Sequence, residues 1–457
     1  MTDTVRGLGR DARQALREGP AGIARRQRTR LTEAVAHARA NSPFYRDLYR
    51  DLPDRVDDPT LLPVTDKKLL MAHFDDWLTD LAVTRAKVDE FLADPGLVGH
   101  RFQGKYMVAT TSGTTGVRGL FLSDDRYAAV HLALGSRANS GLGPRATLRV
   151  LTHAGRTAVV AATGGHFYSV ASTARFRLDH PWLGRILRVF SINQPLPELV
   201  AELNDYNPAS IAGFLSLLTA LAGEQEAGRL HIRPAMVLPG GETVSDQARQ
   251  RIATAFGAMV RPAYMATECA LLAFSCGHGW YHVNADWVVV EPVDADHRPV
   301  PPGQPSHTAL ISNLANRVQP ILRYDLGDGM LVRPDPCPCG SPLPAIRVQG
   351  RAADLVTLPA ASGDTVGLSP MLFGTLLDRV PGVERYQLVQ TAPDRLRVRL
   401  RPKIGADGDQ VWRTVQEELS RLLAEHRVGG VRLERGEEAP EQASSGKVRR
   451  IIPLVKP

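Results

Sequence analysis

The chain has 457 residues, 43% hydrophobic and 23% charged, an ordinary globular balance with length enough for two to three domains and a large core. It has no apolar run of 18 residues, which argues against a transmembrane helix, and only four cysteines, too few for a disulfide scaffold at this size. The net charge is +7, yet Arg outnumbers Lys 48 to 7 and no aromatics interleave the basic cluster 25–30. That pattern favours small anionic ligands over nucleic acid.

In chain order, residues 1–50 are rich in Ala, Arg, Leu and Glu and read as helical, with a break at Gly19-Pro20. The first residues include acidic ones and no apolar stretch, so the expectation is a cytoplasmic protein without a secretory signal. Residues 104–350 alternate strand-like runs (148–152, 158–162, 210–213, 236–238) with helix-like ones (194–204, 215–227, 245–256). Such alternation predicts an α/β fold with a largely parallel sheet. Past Gly350 the pattern changes to strands at 387–399 and 430–434 around an amphipathic helix over 411–426. The expected organisation is therefore a large α/β domain over 1–350 and a small α+β domain over 351–457.

Six motifs punctuate this frame. The first is Thr111-Ser112-Gly113-Thr114-Thr115-Gly116-Val117-Arg118 between two apolar runs. Its glycines let backbone N–H groups converge on an anion, and its hydroxyls add donors. It is not the Lys-Ser/Thr phosphate loop, because no such pair follows the last glycine. The others are Gly240-Gly241-Glu242, Tyr264-Met265-Ala266-Thr267-Glu268, Arg323-Tyr324-Asp325-Leu326-Gly327-Asp328 and Gly350-Arg351-Ala352-Ala353-Asp354, with Ser444-Ser445-Gly446-Lys447-Val448-Arg449-Arg450 near the carboxyl end.

This ordered set resembles the adenylate-forming (ANL) superfamily, and within it the phenylacetate-CoA ligase branch. Asn41-Ser42-Pro43-Phe44-Tyr45-Arg46 and Leu62-Pro63-Val64-Thr65-Asp66-Lys67 are similar to that branch's amino-terminal signatures. The resemblance implies an adenylation core followed by a small mobile domain. It also implies that a carboxylate attacks the α-phosphorus of ATP, releasing pyrophosphate, before a thiol takes the acyl group. Such chemistry needs cations, Mg²⁺ and oriented donors rather than a protein nucleophile.

Carried over by position, Thr111, Ser112, Gly113, Thr114, Thr115 and Gly116 hold the β- and γ-phosphates, with Arg118 where the family usually has Lys. Gly240, Gly241 and Glu242 lie beside the adenine and Tyr264 stacks on it. Thr267 lies near the α-phosphate, Glu268 binds Mg²⁺, and Asp328 holds the ribose hydroxyls. Arg351 is a cation near ribose and phosphate, Asp354 is the hinge, and Lys447 is the catalytic lysine. His166, Phe167, Phe214 and Met265 are the expected acyl-pocket residues; for His166, carboxylate pairing and core packing both stay open.

Cys276, His282, Cys337 and Cys339 follow a pattern frequent in this branch and suit structural Zn²⁺, with His278 and Cys269 as alternative ligands. The branch implies an aromatic acid as substrate and CoA as acceptor. A carrier-protein thiol, an amine, or nitrite as an unusual acid stays open, as does a homodimer. An inactive nucleotide-binding homologue is the reading from another class; the presence of Glu268, Asp328 and Lys447 stands against it.

Overall fold

The computed structural model describes residues 4–111, 118–138, 143–163, 165–242, 244–270, 272–351, 355–360, 365–368, 370–441 and 449–454. Ser112, Gly113, Thr114, Thr115, Gly116, Asp354 and Lys447 lie outside the described residues.

The amino-terminal stretch α1 (Val5–Asn41) bends at Gly19, whose φ of 71° suits glycine, and Pro20 follows. The two arms fold back on each other, with Asp11 paired to Arg26 at 2.8 Å and to Arg30. Leu31, Val35 and Ala38 are buried at the spacing of one helix face. Downstream, Thr65 N–H donates to Arg323 O and Asp325 N–H donates to Thr65 O. This stitch places the start of α2 (Lys67–Ala72), whose N-cap Asp66 accepts from Leu69 N–H at 2.7 Å.

β1 (Met107–Thr110) and β2 (Leu120–Ser123) pair antiparallel on either side of the hydroxyl-rich loop. α3 (Asp125–Ala138) follows, and its Arg137 makes a buried pair with Asp286 at 2.8 Å while donating to Ala12 O. The expected strand at 148–152 is instead helical, within Pro144–Thr152. A five-residue run with three apolar residues does not distinguish the two states. Here Pro144 opens a helix at N1, and Leu148 and Leu151 are left exposed.

The central sheet comprises β3 (Thr157–Ala161), β4 (Leu187–Ser191), β5 (Ser210–Phe214), β6 (Met236–Gly240) and β7 (Met259–Val260). All are parallel, in the order β4-β3-β5-β6-β7. The connections carry α4 (Tyr168–Asp179), α5 (Leu196–Tyr206), α6 (Leu215–Glu226) and α7 (Asp246–Phe256). Val160, Ile211 and Val237 pack with Leu203, Leu218 and Ile252 to make its core. The chain leaves β3 toward β4 on one side and returns at β5 on the other. That reversal opens a crevice at the carboxyl ends of β3 and β5, the place where open α/β sheets bind ligands.

Antiparallel strands follow: β8 (Ala263–Tyr264), β9 (Ala273–Ser275), β10 (Tyr281–Val283), β11 (Val288–Val293), β12 (Thr308–Asn313), β13 (Ile321–Asp325), β14 (Asp328–Val332) and β15 (Ala345–Arg351). They form one sheet in the order β14-β15-β10-β9-β8 and another of β11, β12 and β13.

The carboxyl-terminal part has β16 (Val356–Pro359) and β17 (Thr365–Leu368), then α8 (Pro370–Leu377), β18 (Val383–Ala392), β19 (Arg395–Pro402), α9 (Gly408–Glu425), β20 (Arg432–Gly436) and β21 (Ile451–Ile452). The single strand expected over 387–399 is a hairpin of β18 and β19, because Pro393-Asp394 turns the chain. A separate core runs from Val356 to Ile451, with Leu388, Val398, Val415 and Leu419 at its centre. The fold is thus a large α/β part followed by a small α+β part. Among the described residues, no helix is long and apolar enough to cross a membrane.

Candidate active site

The carboxyl ends of β3, β5 and β6 open into a cleft of about 2160 Å³, closed on the other side by residues of the carboxyl-terminal part. β6 runs into it through Gly240 and Gly241. Gly241 has φ 73°, and a Cβ there would meet the Phe214 ring at 2.7 Å, so only glycine lets the backbone run flat against this wall. The Glu242 carboxylate accepts from Ser216 N–H at 2.7 Å and Ser216 Oγ–H at 3.0 Å. That is an anion at the positive end of α6.

β8 delivers Tyr264 to the cleft. Its hydroxyl donates to Asp328 Oδ2 at 2.5 Å, and Arg351 Nε lies 3.4 Å from Asp328 Oδ1. Burial first, then the Asp328 charge, pushes the Tyr264 phenol far above its ordinary range, so it stays a neutral donor. Asp325, the other acid of that motif, has a structural task. Its Oδ1 accepts from Thr308 Oγ–H and from Gly327 N–H at 2.9 Å, shaping the turn that presents Asp328.

Glu268 is buried at 8% exposure. Its Oε1 accepts from Tyr324 Oη–H at 3.2 Å and lies 3.7 Å from Lys67 Nζ. Burial, then the Glu268 carboxylate, raises the Tyr324 phenol well above its usual range. Lys67 is there because the Thr65 stitch to β13 brings the start of α2 to the cleft. The motif containing Lys67 is visible in the sequence, but its partnership with a glutamate 201 positions away is not.

Thr267, Phe167, Phe214 and Met265 line the cleft. Thr111 closes the neck of the hydroxyl-rich loop: its Oγ1 accepts from Gly119 N–H at 2.9 Å, and its own N–H donates to Gly119 O at 3.1 Å. Arg118 is exposed at that neck. His166 is not in the cleft wall. It is 2% exposed, packs on Phe91 and has Nε2 3.3 Å from Asp94 O. Burial lowers its pKa. Of the two open readings, core packing describes it, because its strand-end backbone bonds to Thr110 and turns the ring inward.

From the carboxyl-terminal part, Arg450 donates to Asp378 Oδ1 at 2.6 Å and to Tyr386 Oη at 2.8 Å. Asp378 Oδ2 accepts from Ser245 Oγ–H at 2.9 Å. Ser245 is the N-cap of α7, so this chain of bonds crosses the cleft between the two parts. Arg450 ends the motif near the carboxyl end, but no motif points to Asp378 or Ser245.

Cys276, His282, Cys337 and Cys339 converge, their ligand atoms all within 4.8 Å of one another. The Cys276 and Cys337 sulfurs are 3.7 Å apart; two thiolates at about 2.3 Å on a tetrahedral Zn²⁺ stand about 3.8 Å apart. His282 Nε2 is 3.1 Å from Cys339 Sγ while Nδ1 lies 3.1 Å from Leu343 O. A donor hydrogen bond from Nδ1 would leave Nε2 free to ligate. Burial lowers the His282 pKa, which favours the neutral form. The turn after β9, strand β10 and the loop between β14 and β15 supply the four side chains. Cys269 is a buried thiol beside Glu268, apart from this group.

No protein-family model and no curated protein sequence matches the chain. Solved structures do. One is 2-hydroxyisobutyryl-CoA ligase in its postadenylation state with R3-HIB-AMP, at TM-score 0.66 and 21% identity over 95% of this chain and 89% of that one. The same ligase in its thioesterification state, with 2-HIB-AMP and CoA, gives 0.53 at 22% identity and the same coverage. An anthranilate CoA ligase with anthranoyl-AMP gives 0.54 at 14% identity over 75% and 64% of the two chains. At these identities the likeness is one of fold, the two-part architecture that these ligases share.

Proposed function

We propose that the protein is an AMP-forming ligase that activates an aromatic carboxylic acid with ATP and passes the acyl group to the thiol of CoA. The observation that carries this reading is the joint presence, in one cleft at a sheet switch point, of the Tyr264–Asp328–Arg351 group and the Tyr324–Glu268–Lys67 group. The first suits a nucleoside: an aromatic ring, a carboxylate with two oxygens for two ribose hydroxyls, and a cation. The second suits the reacting phosphate.

Glu268 offers a hard carboxylate oxygen, which fits Mg²⁺ shared with substrate phosphates. The ion would supply charge neutralisation for the departing pyrophosphate. Around it, Lys67 adds positive charge beside Glu268, and Lys447, by its place in the sequence motif, adds a second cation for the developing phosphate charge. The acid's oxygen forms a bond to the α-phosphorus as the bond to the β-phosphate oxygen breaks. The thiolate then attacks the acyl carbon and AMP leaves. Phe167 and Phe214 offer apolar walls that fit an aromatic ring.

The four-residue Cys/His group fits a structural Zn²⁺: three thiolates and one imidazole complete a tetrahedral set and leave no open position. It would tie the loop between β14 and β15 to β9 and β10, and so brace the strands that present Asp328 and Arg351.

The test is pyrophosphate release with ATP and Mg²⁺ across a panel of aryl acids plus nitrite, each with and without CoA. Release that depends on one aryl acid and turns over only with CoA is expected. Release that stops after one turnover with CoA present rejects CoA as acceptor, and release with nitrite alone rejects the carboxylic acid. Silence with retained ATP binding rejects the ligase reading.

A further inference from the structure

His131 projects from α3 into the wall of the cleft, with its ring against Tyr168 at a centroid distance of 6.2 Å. Tyr168 in turn packs beside Thr267 and Glu268, so His131 stands one side chain away from the candidate reaction centre. The other two enclosed histidines near the cleft have partners in the protein: His166 has Asp94 O, and His282 has Leu343 O. His131 differs. Its Nδ1 is enclosed with no hydrogen-bond partner, and among the described residues no partner is present for its Nε2 either. A ring used only for packing would be cheaper as Leu or Phe, because a buried polar atom left unpaired costs about 1–3 kcal/mol.

The protonation state follows from the surroundings. Burial pushes the imidazole pKa down to about 4, so the ring is neutral at physiological pH and carries one N–H. Enclosed orphan N–H groups are rarer than enclosed orphan acceptors. That places the proton on Nε2, the nitrogen on the edge that can meet a ligand, where it is a donor.

We infer that His131 is a specificity-determining residue whose Nε2–H donates to an oxygen substituent on the acid, so that the substrate is an aryl acid bearing a hydroxyl or alkoxy group rather than an unsubstituted one. This rests on the ligase reading above for the word substrate, and on the cleft geometry alone for binding. A site built to donate a hydrogen bond discriminates against a ligand lacking the acceptor, because the buried donor is then left unpaired. An aryl amine nitrogen, whose lone pair is delocalised into the ring, is a poor acceptor and gains little.

The experiment is calorimetric titration of the ATP-loaded protein with benzoate and with the 2-, 3- and 4-hydroxy-, methoxy- and aminobenzoates. ATP–pyrophosphate exchange is followed in parallel. The expected result is that at least one hydroxy- or methoxybenzoate binds about tenfold or more tightly than benzoate, while its amino counterpart does not. His131→Leu should reduce that ratio to within about threefold, and His131→Gln, which keeps an N–H donor, should retain part of it. A wild-type protein that binds all these acids equally, or none of them, overturns the inference whether or not the variants fold. So does a ratio unchanged in His131→Leu. Selective binding without exchange leaves the inference standing and rejects the ligase reading instead.

Discussion

Removing one ligand of the Cys/His group has a consequence whose size can be worked out. Cys337 is 6% exposed and sits on the loop of residues 333–344, which is otherwise tied to the sheet through Arg333, Leu343 and Pro344. Cys337→Ser replaces a thiolate with a hydroxyl that Zn²⁺ binds poorly. In zinc-finger peptides, where the whole fold depends on the ion, binding contributes about 10–16 kcal/mol. Here β9, β10 and β15 are already held in their sheet, so roughly half that range, on the order of 5 kcal/mol, is the reasonable share. Unfolding entropy near 60 °C is about 2.1 cal/mol/K per residue, hence about 0.7 kcal/mol/K for roughly 350 residues folding together, and the melting temperature should fall by about 7 °C. Elemental analysis should find about one zinc per wild-type chain and far less in the variant. Because thiolates and neutral imidazole are the binding forms, zinc should leave on acidification rather than on raising the pH. A wild-type protein that is zinc-free as purified, and melts at the same temperature as Cys337→Ser, would refute the metal and the brace together.

Four further outcomes are expected. Lys447→Ala should slow adenylate formation by at least roughly a hundredfold with ATP binding retained; pyrophosphate release near the wild-type rate would sink its assigned role. Lys67→Met leaves the Glu268 carboxylate with Tyr324 but no cation, and should slow the same half-reaction about tenfold at saturating Mg²⁺, whereas an unchanged rate removes Lys67 from the machinery. Asp378→Asn weakens the bond to Ser245, the one that crosses between the two parts, by about 1 kcal/mol, or roughly fivefold in the equilibrium between them. Small-angle scattering should show a more extended particle, and adenylation should fall more than transfer from added acyl-adenylate; an identical scattering profile with identical half-reactions contradicts a latch. Burial, then the Glu268 charge, raises the Cys269 thiol above its usual range. At pH 8 it therefore stays protonated, and iodoacetamide should modify it only after denaturation, as read by mass spectrometry.

Motifs whose chemistry is local are legible in the sequence. The glycine at 241 belongs where a strand must run bare against a wall. The interruption at Gly19-Pro20 bends a helix because neither residue continues one. The β3, β5 and β6 runs and the helices α5, α6 and α7 follow from apolar periodicity and length. The same reasoning fails at 148–152, where a short, mostly apolar run fits either a strand or a helix, and at 387–399, where the turn at Pro393-Asp394 sits inside a longer alternating stretch. His166 reads as a pocket residue because it follows a strand end. Which way a side chain turns there depends on what packs behind it, in this case Phe91 and Asp94 O.

By itself the sequence determined which residue types are present and in what order: the α/β alternation, the change of pattern past Gly350, and a cysteine and histidine set with soft-metal character. Only the tertiary structure decided who meets whom. Lys67 reaches Glu268 because a backbone stitch at Thr65 lays one segment along β13. His131 reaches the cleft because α3 packs against Tyr168, and Asp378 reaches Ser245 because the small part sits over the large one. These pairings span tens to hundreds of residues. No local propensity encodes them, since each is set by how the sheet closes and what the core excludes.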